Sequence, residues 1–319
     1  MRVLVGSSVF DGTVEVPAVL RLVHFAYERR HRVLVRSREA YLRWSEAHVA
    51  PRSAEVYAQG LDWSEEVETR DPARYELSVE AVSVNGLLDV QRAIERLERP
   101  FVLVVENDHS DRRFLEAVAP DECKDRLREL MRKSWLQCRA RDGKRGIPKL
   151  IADGLSDTLG EAERFYVVFD SDLEAPGLLR AENQKVREAC EALGVRHHML
   201  ARRTIENYLT RPALMGWVKR QENDAAGHTA RVDALYGDWC AERPSRRHHY
   251  FMKRGLKNMA RGAQYEGIPH DLEQTLLAGF GNAVTEAFDV APLRENDLRD
   301  EGSWDELSDL VRDVLRCAQ

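Results

Sequence analysis

A glutamate and two aspartates, each placed just beyond a run of apolar residues, are the groups in this sequence best suited to chemistry. Phe101–Val105 leads into Glu106, and Phe165–Phe169 leads into Asp170-Ser171-Asp172. Apolar runs of this length read as buried strands of the kind found in parallel sheets. Open parallel sheets collect ligands beyond the carboxyl ends of their strands, so carboxylates placed there from two strands converge. Carboxylates brought together without a basic partner repel one another unless a divalent cation sits between them. Magnesium chemistry is therefore the first expectation. On an extended backbone Asp170 and Asp172 would point to one side about 6.6 Å apart. They could share one ion, or each could anchor one of two ions about 3.5–4 Å apart. Glu106 would act as a metal ligand or as a general acid/base in phosphoryl transfer. Asp108 and Asp111 could add ligands, although the helix N-cap is the role that suits Asp111 better.

The elements that must position these groups follow from periodicity. Met1–Val5 and Arg32–Val35 read as short strands, with Val16, Leu20, Val23 and Tyr27 at helical spacing between them and Pro17 near the helix start. Residues 40–74 show a weaker pattern, with Trp44, Tyr57 and Trp63 as packing anchors. A second series follows: helix Leu87–Glu98, strand Phe101–Val105, a helix opening at Asp111, helix Asp121–Lys133, strand Trp135–Ala140, a turn at Arg141–Lys144 and helix Pro148–Leu159. Strand Phe165–Phe169, helix Leu178–Leu193 stopped by Gly194, and strand Val195–Leu200 complete it. Strand alternating with helix predicts an α/β fold with a mostly parallel sheet flanked by helices. Beyond Pro212 only helical patterns occur: Ala213–Gln221, Thr229–Ala241, Leu272–Ala278 and Trp304–Cys317. The expected organisation is a small N-terminal α/β region (1–98), a catalytic α/β domain (99–210) and a helical C-terminal extension (211–319). No internal repeat is evident.

Composition narrows the function classes. The 319-residue chain has an ordinary apolar fraction, a high charged fraction and a net charge of −6, which suits a soluble protein with a real core. No apolar stretch reaches the ~18–20 residues of a membrane span, and the first residues do not read as a signal peptide. The five cysteines are scattered and form no C-x-x-C, which argues against a disulfide framework or a zinc ribbon and favours a cytoplasmic protein. No P-loop motif occurs. Two basic stretches stand out, one around Arg139, Arg141, Lys144 and Arg145, the other Arg246-Arg247-His248-His249-Tyr250-Phe251 with Lys253 and Arg254. Either could face nucleic-acid phosphates. In the second, a buried Tyr250-Phe251 pair is the plainer reading than a base-stacking surface. Structural roles are likewise expected of His197, His198, His248 and His249.

Taken in order, four segments resemble the TOPRIM nucleases. Val104-Val105-Glu106-Asn107-Asp108-His109-Ser110-Asp111-Arg112-Arg113-Phe114-Leu115 resembles the strand-ending first motif, and Val168-Phe169-Asp170-Ser171-Asp172 resembles the D-x-D motif. Asp142-Gly143-Lys144-Arg145-Gly146 resembles the glycine-lysine turn between them. Arg202-Arg203-Thr204-Ile205-Glu206-Asn207-Tyr208-Leu209 resembles the IENYL segment of the overcoming-lysogenization-defect (OLD) nucleases. The resemblance covers Arg99 to Thr210. Asn107 stands where many family members have glycine, and the following aspartate lies five positions on rather than four.

The resemblance implies a nuclease dependent on Mg2+ or Mn2+ with two ions, in which Glu106, Asp170 and Asp172 hold metal or act as base and Asp111 is a further candidate ligand. Glu206 would be an additional acidic group. Lys253 or Lys257 would offset phosphate charge. Lys144, Arg145, Arg246, Arg247, Lys253 and Arg254 are the candidate nucleic-acid contacts. OLD proteins carry an ATPase domain that is missing here, so the chain more closely resembles stand-alone TOPRIM effectors of anti-phage defence that work beside a separate ATPase. Oligomeric state stays open, a homo-oligomer included. Two alternatives remain: a non-catalytic, metal-binding interaction subunit of an ATPase complex, and a D-x-D phosphatase, disfavoured because Leu173-Glu174 follow the motif.

Overall fold

The computed structural model describes residues 1–73, 75–83, 87–157, 161–177, 180–258, 263–290 and 293–318. The chain divides into two compact units. One comprises residues 1–101, 130–137 and 313–319, the other residues 102–129 and 138–312.

The first unit holds a parallel sheet of β1 (Arg2–Val5), β2 (Arg32–Val35), β3 (Glu76–Glu80) and β4 (Leu88–Asp89) in the order β2-β1-β3-β4. Its connections are helices α1 (Val16–Tyr27), α2 (Arg38–His48) and α3 (Pro51–Arg70), and α4 (Val90–Glu98) follows β4. Val3, Val5, Val33 and Val79 pack with Val19, Leu22, Val23, Ala26, Leu61 and Leu97 in one core. Helix α3 occupies part of the stretch whose periodicity is weak. Its polar mean composition hides a narrow seam centred on Gly60, where an added Cβ would stand 2.6 Å from the Tyr27 nitrogen. Trp44 is buried as expected, whereas Tyr57 and Trp63 are only half-buried.

The second sheet contains β5 (Phe101–Val104), β6 (Leu136–Arg139), β7 (Phe165–Phe169) and β8 (Arg196–Met199) in the order β6-β5-β7-β8. Both sheets are all-parallel. Helices α5 (Asp108–Val118), α6 (Asp121–Arg132), α7 (Ile147–Asp157) and α8 (Ala181–Ala192) connect the strands. Every residue of β5 and β7 is buried, as expected for central strands covered on both faces. Val102, Val104, Phe165, Val167 and Phe169 form one face of the core with Ile147, Ile151, Val186 and Cys190. The α/β architecture with a helical C-terminal region agrees with the sequence expectation. That region includes α9 (Arg211–Val218), α10 (Ala225–Tyr236) and the terminal helix Trp304–Ala318. The expected ends of two helices, Leu159 and Leu178, lie outside the described residues. Among the described residues no helix is long and apolar enough to cross a membrane.

The strand order repeats: second, first, third, fourth in both sheets. Each order reverses beside its first strand, between β1 and β3 and between β5 and β7. Parallel sheets open a crevice beyond the carboxyl ends at such a reversal.

Candidate functional site

Beyond β5 the chain turns at Glu106-Asn107 into α5. The cap of α5 is Asn107, whose Oδ1 accepts the N–H groups of His109 (3.1 Å) and Ser110 (3.0 Å). This corrects the expectation that Asp111 caps a helix starting at 111. Asp111 lies inside the first turn and reaches back, its Oδ2 accepting N–H groups from Glu106 and Asn107 at 3.0 Å each. Its Oδ1 accepts the Ser110 hydroxyl at 3.2 Å. Asp111 thus braces the loop that presents Glu106, with both oxygens already engaged, which makes it a poor metal ligand.

Beyond β7, the Asp170 N–H donates to Glu106 Oε1 at 2.8 Å, tying the two strand ends together. Asp170 Oδ1 accepts the Ile205 N–H at 3.1 Å. The D-x-D is not extended as expected, for Asp172 adopts φ +51°. Ser171 is buried and donates to Arg202 O at 2.8 Å, and the Asp172 N–H donates to Arg203 O at 2.8 Å. These bonds bend the chain, so the two aspartates meet different neighbours.

Lys144 enters from the turn after β6, where Asp142 and Gly143 are both left-handed. It is 6 % exposed. Its ammonium donates to Asp170 O at 2.6 Å and to Asp172 Oδ2, and lies 3.5 Å from Glu106 Oε1. Expected to meet phosphate, Lys144 instead lies inside the carboxylate cluster.

Glu206, with no exposed surface, lies on the single 3-10 turn Ile205–Tyr208. Thr204 Oγ1 donates to its Oε2, and the Lys253 ammonium stands 2.9 Å from its Oε1. Asn207 completes a capping box with Thr204 and donates to the carbonyls of Arg247 and Tyr250 at 2.9 Å each. The same short segment therefore places Glu206 and anchors the stretch that carries Lys253. Lys257 is exposed, with its backbone N–H bonded to Leu277 O, so the geometry selects Lys253 of the two candidates.

The electrostatics agree with the crowding. Burial pushes the Glu106 carboxyl up to about 7; Lys144 opposes this, and Asp172 and Asp111 add to it. Burial raises Asp111 to about 6 against its own hydrogen bonds. Asp170 is held well above the usual carboxylate range, first by burial and then by Glu106, Glu206, Asp111 and Asp172. Burial works against the charge of Lys253, but Glu206, Asp170 and Asp111 outweigh it and raise its pKa.

Five carboxylates and two ammonium groups leave an excess of negative charge when all are ionised. Hard carboxylate oxygens with excess charge are the donor set that magnesium takes, so the residues fit the ion in chemistry. Glu106, Asp170 and Asp172 would hold it. Among the described residues, however, no group of three or more His, Cys, Asp or Glu side chains is arranged around a common metal position. Lys144 stands between them.

The remaining candidate cations are placed unevenly. Arg246 is buried, bonded to the carbonyls of Gln264 and Trp239, with its guanidinium 3.6 Å from the Trp239 ring centroid. Arg247 pairs with Glu301 at 3.2 Å. Neither faces outward as the sequence reading required, because each is used to pack the helical region. Arg145 and Arg254 are exposed, Arg145 pairing with Glu182 at 2.8 Å. Tyr250 is fully buried, its hydroxyl donating to Leu276 O and Ala278 O. His198 pairs with Glu306 at 3.1 Å and the His249 Nδ1 lies 3.1 Å from Leu173 O, structural roles both. The hydrogen-bonding roles of Asn107, Ser171, Thr204 and Asn207 escaped the sequence reading. The Thr204-x-x-Asn207 spacing of a capping box was the available signal for two of them.

Comparison with known proteins adds no relative: no protein-family model, no curated protein and no solved structure matches the chain.

Proposed function

We propose that this chain is a magnesium-dependent nuclease of TOPRIM type that hydrolyses phosphodiester bonds in DNA or RNA, acting as an anti-phage effector beside a separate ATPase. The observation that carries the reading is the bond from the Asp170 N–H to Glu106 Oε1, 2.8 Å long, which joins two carboxylate-bearing strand ends where the sheet order reverses. The ordered sequence resemblance supplies the nucleic-acid and defence context.

Magnesium bound there would polarise the phosphate and lower the pKa of a coordinated water. The chain's own residues supply the rest. Glu106, Asp170 and Asp172 would hold the ion, their carboxylates gathered where β5 and β7 end and the two strand ends joined by the Asp170–Glu106 bond. Lys253, fixed by Glu206, provides a cation beside Asp170 that offsets charge developing on phosphate. Asp111 and Asn107 keep the Glu106 loop in one geometry.

The test is incubation of the purified protein with plasmid, single-stranded DNA and tRNA in magnesium or manganese, with a co-encoded ATPase present and absent. Cleavage by wild type and none by Glu106→Ala supports the nuclease. Partner binding with no cleavage under any condition supports the interaction-subunit alternative instead.

A further inference from the structure

Lys144 has the placement of an internal counter-ion. It is nearly as buried as the core, on a turn separate from both strands that carry the carboxylates, and three of its oxygen neighbours are Glu106 Oε1, Asp170 O and Asp172 Oδ2. The lysine ammonium is a compact point charge, and here it is in contact with two of the three side chains that would ligate magnesium. Lys253 differs. It pairs with the deeper Glu206 at 2.9 Å, and about a third of its side chain stays exposed.

We propose that Lys144 and a divalent cation compete for the gap between Glu106 and Asp172, so that metal enters only as the Lys144 ammonium withdraws. This rests on the magnesium reading of the site. An ammonium and a divalent ion a few ångströms apart repel strongly, and both need the same oxygens. The Lys144 side chain can withdraw without disturbing β5 or β7, because it meets the cluster only through its ammonium while the strand ends are joined to each other by the Asp170–Glu106 bond. Lys144 thus keeps the cluster folded without metal and sets a threshold for loading. Whatever displaces it, substrate phosphate included, would lower that threshold.

The experiment is calorimetric titration of the full-length protein with Mn2+, without nucleic acid, for wild type, Lys144→Gln, Lys144→Arg and Lys253→Gln. Thermal unfolding in chelator and in Mn2+ is recorded in parallel. Lys144→Gln is expected to bind Mn2+ at least about tenfold more tightly than wild type, and to unfold at lower temperature in chelator with a larger rise on adding Mn2+. Lys144→Arg, which keeps the charge, is expected to bind no more tightly than wild type, which separates competition from a packing effect. Manganese binding by wild type that is unchanged or weakened in Lys144→Gln overturns the competition and leaves the magnesium reading standing. Manganese binding by none of the four proteins overturns both.

Discussion

At the reversal of the first sheet, the strand ends present Gly6 and Glu80; at that of the second they present Glu106 and Asp170. The strand order is the same, and in both a basic residue following the neighbouring edge strand reaches toward a carboxylate. In the first unit Arg36 lies 3.4 Å from Glu80, which also accepts the Ser8 hydroxyl. Ser8 in turn accepts the Ala81 N–H at 3.0 Å. One carboxylate meets one guanidinium and one hydroxyl, so no charge is left for a ligand to neutralise. In the second unit Lys144 faces Glu106 and Asp172, with Asp111 and Glu206 close enough to help hold the buried Asp170 carboxyl above the usual range. The difference teaches that the same strand order can end in a balanced pair or in a crowded cluster, and that an excess of like charge is what sets the second reversal apart from the first.

The sharpest way to break this contrast is to neutralise each reversal in turn. Asp170→Asn is expected to reduce metal-dependent cleavage at least about 100-fold, whereas Glu80→Gln should leave the rate within about twofold. Similar losses from both, with circular dichroism showing intact folds, would erase the distinction.

A second contrast is energetic. Lys253→Met leaves the fully buried Glu206 without its ion pair, and a denaturant titration is expected to show a loss of about 3 kcal/mol. Arg36→Met removes the cation of a pair that is about half exposed on the arginine side, and the cost should stay under about 1 kcal/mol. Equal costs would mean that burial does not separate the two pairs.

The third is a pH dependence of the chelated protein. Glu106 has an ordinary value of 4.5 and a folded value of about 7. Between those values the folded state binds the additional proton, so stability contributed at low pH is lost as pH rises through that window. Unfolding free energies measured from pH 4.5 to 8 should therefore fall for wild type, with a flatter profile for Glu106→Gln. Parallel profiles would show that the Glu106 carboxyl is not the group responsible.

The smallest effect concerns Gly6, where a Cβ would stand 1.9 Å from Glu80 Oε2. Gly6→Ala must push that flexible carboxylate aside, at an expected cost of about 1 kcal/mol and with no change in Mn2+ affinity. A changed affinity would show that the first reversal influences the second.

Much of this was legible in the residues themselves. Phe165–Phe169 is recovered to the residue as a strand, because a run buried on both faces needs no periodicity to declare itself. Strands β3 and β4 were not, since Glu76–Glu80 alternates polar and apolar over too few residues to stand out from its surroundings. The candidate carboxylates were visible as types at strand ends, and the Gly143-Lys144 turn as a motif. Their partners were not. Lys144 joins Asp172 from 28 residues away and Glu206 joins Lys253 from 47, distances over which composition and spacing carry no signal about contact.

The sequence by itself determined that two apolar strands would deliver Glu106, Asp170 and Asp172 to the carboxyl edge of a parallel sheet. Periodicity and strand-end chemistry are local properties. Tertiary structure decided the rest: that Asp170 and Glu106 are bonded to each other, that Asp111 braces a loop, that Arg246 and Lys144 turn inward, and that Lys253 rather than Lys257 meets Glu206. Charge balance in a buried cluster depends on which groups the fold brings within a few ångströms, and only the packed chain fixes that.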